Sequence, residues 1–132
     1  MDIKSLMIGD WVKPQNVDAS FRVGLIGADS VWNDADTHEW YYDELEPIPL
    51  TAEILEKNGF EKTWQDNFVY DNEDIGLIIT FHPKETNYTN GIYDYIDIEK
   101  GCVTITEMPI EFVHQLQHVL RLCEVSIEII EL

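Results

Sequence analysis

His114 and His118 stand four residues apart in a stretch with helical spacing, so their imidazoles would project from one face and could share a metal ion. Glu111, one turn earlier, could add a carboxylate. The stretch lacks the Glu that follows the first His in His-Glu-x-x-His zinc proteases, and the neighbouring Gln115 and Gln117 are inert toward a metal. No metal site is therefore expected, and His114 reads as a hydrogen-bonding residue at the rim of the core. Asp34, Asp36 and Glu39 resemble a fragment of a calcium loop, as do Asp71, Glu73 and Asp74. Neither set has the Gly or the terminal bidentate Glu that an EF-hand loop requires, so both read as solvated turns.

Aromatic residues make a stronger candidate. Trp11, Trp32, Trp40, Tyr41 and Tyr42 fall within the first fifty residues, and a small sheet sends neighbours such as Trp40 and Tyr41 to opposite faces. Rings left outside, with acids around them, would suit a Lys- or Arg-bearing peptide through stacking and cation–π contact. Trp32, Trp40, Tyr42, Asp34 and Asp36 are the residues expected to form that surface. The competing reading is that the rings simply fill the core of the first segment.

No Gly-rich phosphate loop, Gly-x-Ser-x-Gly elbow or Cys-x-x-Cys pair occurs in the chain. Carboxylates are too numerous for an acid/base pair to stand out. A non-enzymatic protein that needs no cofactor is the expectation.

Charge narrows the partners. The chain carries 26 acidic and 8 basic side chains, a formal charge of −18. Free nucleic acid and anionic membrane are both held by Lys and Arg on phosphate, so neither is an expected direct partner. A basic protein surface is. The acids are spread along the chain, ten in residues 1–50 and sixteen in 51–132, so they form no detachable tail. With 45% hydrophobic and 11% aromatic residues, the charge coats a folded body rather than a disordered one.

No apolar run approaches the roughly 20 residues a membrane helix needs, and Met-Asp-Ile-Lys-Ser-Leu at the start does not read as a signal peptide. Cys102 and Cys123 both lie in apolar segments and read as two buried thiols in a reducing cytoplasm.

The elements that must carry these residues fall into two segments. In the first, Leu6–Val12, Phe21–Ile26, Ser30–Asn33 and Glu39–Asp43 read as short strands separated by turn signals, a small bent sheet or barrel over residues 1–48. Pro47 and Pro49 enforce extended backbone at its end. The second segment, residues 50–132, opens with a helix over about Ala52–Asn58, capped by Thr51 and stopped by Gly59. Strands follow through Phe60–Tyr70, Ile75–Phe81 (apolar enough to be buried on both faces), Ile92–Ile98 and Cys102–Thr106. Asn90-Gly91 reads as a two-residue hairpin turn. A second helix spans about Ile110–Leu122 with Pro109 in its first turn, and Ser126–Glu131 could add a closing strand. The class is α+β, a β-unit followed by helix, antiparallel meander and helix, expected as one compact body.

Three patterns in this order resemble a known group. They are Ser5-Leu6-Met7-Ile8-Gly9-Asp10-Trp11-Val12, then Leu45-Glu46-Pro47-Ile48-Pro49-Leu50-Thr51-Ala52-Glu53-Ile54-Leu55-Glu56-Lys57-Asn58-Gly59-Phe60, then Val113-His114-Gln115-Leu116-Gln117. Together they resemble small uncharacterised proteins encoded by prophages and mobile elements of gut bacteroidetes. The first pattern is also similar to the opening strand of SH3-like barrels. The resemblance implies a cytoplasmic accessory protein of a mobile element and no particular activity. A protein-binding module is the reading it sits beside. The alternative is an acidic nucleic-acid mimic that occupies the basic cleft of a host DNA-binding protein or nuclease.

Overall fold

Short β-branched and aromatic runs broken by Gly, Asn and Asp give ten strands and two helices in a computed structural model, which describes residues 6–35, 38–123 and 131–132. The class is α+β, with two antiparallel sheets. The chain divides into two units, one of residues 1–49, 112–121 and 125–128, the other of 50–111, 122–124 and 129–132.

In the first unit, β1 (Trp11–Pro14), β2 (Phe21–Ile26), β3 (Ser30–Asn33), β4 (Glu39–Tyr41) and β5 (Leu45–Glu46) form one sheet in the order β4-β3-β2-β1-β5. The chain thus meanders out to β4 and returns through a 3₁₀ turn, Tyr42–Glu44, to lay β5 against β1. Among the described residues the sheet is not closed into a barrel. β5 is two residues long and pairs only Lys13 with Glu46 and Pro14 with Leu45, too short to bridge onward to β4. Strand β1 starts later than the apolar run suggests, because Met7–Asp10 is a tight turn with Gly9 at φ 92°. Gly can hold that left-handed conformation without a Cβ penalty. Pro14 is the last residue of β1 and pairs with Leu45. Leu6, Val12, Val23, Val31 and Leu45 make the core, with Phe21, Trp40 and Tyr42 packed at its margin.

A bulge at Gly24 shifts the β2–β3 register between Val23 and Leu25. A Cβ on Gly24 would stand 2.7 Å from both the Asn33 carbonyl oxygen and the Asp34 Cα. Backbone cannot retreat cheaply from such a contact, so Gly24→Ala is expected to destabilise by about 1–3 kcal/mol. Urea denaturation of the variant beside the parent checks this, and an unchanged midpoint would mean that the strands do not approach so closely.

The second unit orders β10 (Val103–Pro109), β9 (Tyr95–Lys100), β8 (Leu77–His82), β7 (Phe68–Asn72) and β6 (Glu61–Lys62) as a simple antiparallel meander. Helix α1 (Ala52–Lys57) packs beside β6 and β7, and the Thr51 hydroxyl accepts the Ile54 N–H to cap it. Leu77, Ile79 and Phe81 are buried, but the residues between them are only half-buried, so β8 is covered on one face and not on two. Pro109 pairs with Tyr95 at the end of β10 instead of opening a helix. Asn90 and Gly91 do take positive φ, yet they sit inside a long loop between β8 and β9 rather than at a hairpin tip. The Asn87 side chain holds that loop, donating to the His82 and Tyr93 carbonyls at 2.9 and 3.0 Å and accepting the Thr89 N–H at 2.8 Å.

The second helix, α2 (Val113–Leu122), starts three residues later than its apolar pattern predicts. All of it but Leu122, together with the preceding Phe112, belongs with the first unit, although its sequence position suggests the second. The reason is polar: side chains of the helix hydrogen-bond to the Met7–Trp11 turn, and Val113 N–H donates to Ile48 O at 2.8 Å. The expected closing strand at 126–131 lies almost wholly outside the described residues. Cys123 is buried, but Cys102 is exposed on the β9–β10 turn, contrary to its apolar neighbours.

Candidate functional site

Register decides which aromatic rings of the first unit face outward. Val31 lies opposite Trp40, and Val31 is wholly buried, so Trp40 is on the core side. Its ring stacks on Phe21 at 6.0 Å and meets His38 at a tilt, 4.3 Å between centroids. Tyr42 also packs at the core margin, and its backbone N–H and hydroxyl donate to Asp29 O and Gly27 O. Trp32 has the opposite parity. It faces Leu25 across β2 and Glu39 across β4, and Tyr41 lies on the same face opposite Ser30. Leu25 and Tyr41 are each 52% exposed, and Trp32 is half-buried between them.

The structure therefore divides the five residues singled out from sequence. Trp32 lies on the outer face and exposed Asp34 on the adjoining turn, whereas Trp40 and Tyr42 turn toward the core. Asp36 lies outside the described residues. Leu25 and Tyr41 are the missing members of the outer set. Alternation signals that Trp40 and Tyr41 must part, but not which of the two turns inward. Glu39, placed beside Trp32 by register, accepts the Ser30 hydroxyl at 2.7 Å, which fixes one carboxylate on this face.

A second arrangement is buried. Asp10 is fully enclosed, with Oδ2 accepting the Met7 N–H at 2.7 Å and lying 2.6 Å from His118 Nε2. Arg121 donates to Ile8 O at 2.8 Å and stands 4.0 Å from Asp10 Oδ1. Gln117, also fully enclosed, accepts the Trp11 N–H at 2.8 Å and donates to Gly9 O at 3.0 Å. Gln115 accepts the Phe112 N–H at 2.9 Å at the start of α2, so both glutamines bind backbone. His114 is not at the rim of the core. It is wholly buried, and neither ring nitrogen has a hydrogen-bond partner among the described residues. Burial lowers its pKa to about 4, and the charge of nearby Asp10 only partly opposes this. The rings of His114 and His118 meet edge to face at 5.6 Å. Among the described residues no three His, Cys, Asp or Glu side chains gather as metal ligands. No described hydroxyl or thiol hydrogen-bonds to His118 either, so the Asp10–His118 pair works as a tie between α2 and the turn.

No family model, curated protein or solved structure matches this chain.

A third arrangement lies in the second unit. His82 Nε2 is 2.9 Å from Asp97 Oδ2 and its ring stacks on Tyr95 at 4.5 Å. Tyr88 donates its hydroxyl to Glu107 Oε2 at 2.6 Å, and that bond holds the phenol proton well above the ordinary tyrosine range. Glu107 sits in a bulge of β10 with φ 55°, its N–H bonded to Asp97 Oδ1 at 3.0 Å. Sequence reading missed this cluster, because its members come from a loop and two strands with no fixed spacing. Among the described residues neither turn with calcium-loop character gathers carboxylates as metal ligands, and Asp34, Asp71, Glu73 and Asp74 are exposed.

Proposed function

We propose that the chain is a non-enzymatic protein-binding module, an accessory protein of a mobile element acting in the cytoplasm. Its outer sheet face in the first unit would take a Lys- or Arg-bearing segment of a partner protein. The observation that carries this reading is the row of exposed Leu25, half-buried Trp32 and exposed Tyr41 on one sheet face, with the Glu39 carboxylate on it and exposed Asp29, Asp34 and Asp43 around it. Aromatic anchors supply affinity by desolvation and cation–π contact, and the surrounding negative charge supplies encounter rate and partner choice. The five-stranded meander whose last strand returns to the first, with a 3₁₀ turn before it, supports placing this unit among SH3-like sheets.

Capture of partners from a bacterial host on the immobilised protein tests the reading. Trp32→Ala and Tyr41→Ala are each expected to weaken a specific partner by about tenfold or more, the range of an interface anchor. Retention of every specific partner by the double variant would overturn it. Displacement of those partners by duplex DNA would favour the nucleic-acid mimic instead.

A further inference from the structure

Among the described residues strand β10 is the outermost of the second sheet, and its first five residues, Val103–Glu107, are exposed. Gly101-Cys102 connects it to β9, with Lys100 opposite Val103. A two-residue connection closes on hydrogen bonds between the flanking residues, so the antiparallel ladder turns the N–H and C=O of Thr104 away from β9. Natural sheets guard such edges with lysines, prolines or bulges. Here the guard covers only the far half: Glu107 is in the bulge and Pro109 has no N–H. The stretch Val103–Thr106 holds no charge, no proline and no glycine.

The two faces flanking this open edge differ. Val103 and Ile105, 63% and 43% exposed, share the face of buried Ile98. Thr104 shares the opposite face with Glu99, and Asp97 and Glu107 continue the acidic side. A strand laid along β10 would therefore meet apolar surface with every second residue and carboxylate with the residues between.

The geometry points to a strand-addition site on β10 for an extended segment of another protein that alternates apolar residues with Lys or Arg. Backbone pairing at Thr104 supplies the register, Val103 and Ile105 the apolar contact, and Glu99 and Glu107 the charge pairing. Charge selects this occupant over a second copy of the chain. β10 carries no basic residue, and pairing two copies would bring together bodies of charge −18 each. The site is separate from the Trp32–Tyr41 face and does not depend on it.

A fluorescent peptide of alternating Val and Lys, with a block peptide of the same composition as control, tests the site by anisotropy on the full chain. The alternating peptide is expected to bind more tightly and to protect the Thr104 amide from exchange. Thr104→Pro removes an N–H that the described sheet does not use, so the fold is expected to survive while affinity for the alternating peptide falls by about tenfold or more. Glu99→Lys is expected to weaken it likewise. If Thr104→Pro does not fold, Ile105→Lys blocks the same edge from an exposed position and carries the same expectation. Trp32→Ala should bind the peptide as the parent does, so failure of one surface leaves the other standing. Equal binding of the two peptides, or unchanged binding by the edge variants, would reduce the effect to plain charge attraction and overturn the proposal. So would protection of Thr104 by self-association in the absence of peptide.

Discussion

Gln117→Leu is expected to destabilise the protein by roughly 2–4 kcal/mol, because two backbone groups would lose their partner in a site that Leu cannot hydrate. The enclosed Gln117 amide accepts from Trp11 N–H and donates to Gly9 O, so one side chain satisfies a donor and an acceptor of the turn before β1. Leu preserves the volume and the helical propensity, which isolates the polar loss from cavity formation. Gln115→Ala makes a suitable comparison. It releases the Phe112 N–H at the start of α2 and should cost about 1 kcal/mol, as helix caps do. Urea denaturation of the three proteins provides the ordering. A Gln117→Leu variant as stable as the parent would show that the amide does not join helix and turn.

The second large effect depends on pH. His114 has a pKa near 4 in the folded chain against 6.5 for an ordinary histidine, because burial disfavours the imidazolium. The unfolded chain takes up a proton near pH 6.5 that the folded chain refuses until about pH 4. This contribution to stability is complete above pH 6.5 and is lost progressively as pH falls toward 4. At about 1.4 kcal/mol per pH decade, the loss amounts to roughly 3–4 kcal/mol at most. His114→Leu abolishes it and removes two buried nitrogens that lack partners. The stability gap between variant and parent, measured by urea denaturation at successive pH values, should widen in favour of the variant between pH 6.5 and 4. The comparison cancels the titration of the carboxylates, which both proteins share. A gap that stays constant over that range would mean that His114 reaches water.

Local signals made much of this fold legible in the sequence. Helix α1 follows from Thr51 and Gly59, both acting within one turn of the residues they cap or stop. Strands β2 and β3 run over Phe21–Ile26 and Ser30–Asn33, the bounds their alternation and the Gly27–Asp29 turn predict. What could not be read is whatever depends on distant partners. Period-two alternation separates Trp40 from Tyr41, yet only the pairing of Trp40 with buried Val31 says which one faces the core. Gln117 looks like a polar member of a helix surface, and its burial follows from a turn more than a hundred residues earlier. The exposed edge of β10 is likewise invisible, because a sequence does not state which strand comes last in a sheet.

The membership of α2 in the first unit has a consequence for how the chain is made. A ribosome delivers residues 1–49 early, but the helix that ties down the Met7–Trp11 turn is not available until roughly 60 further residues have emerged. At about 5–20 residues per second that is a wait of some 3–12 s, long compared with helix or hairpin formation. During it the nascent first sheet carries Asp10 and the Trp11 N–H without the side chains that later satisfy them. The second unit, all strands in sequence order with short connections apart from one loop, has no such dependence for its meander and can fold as it emerges. The part of the chain made first is then the part completed last.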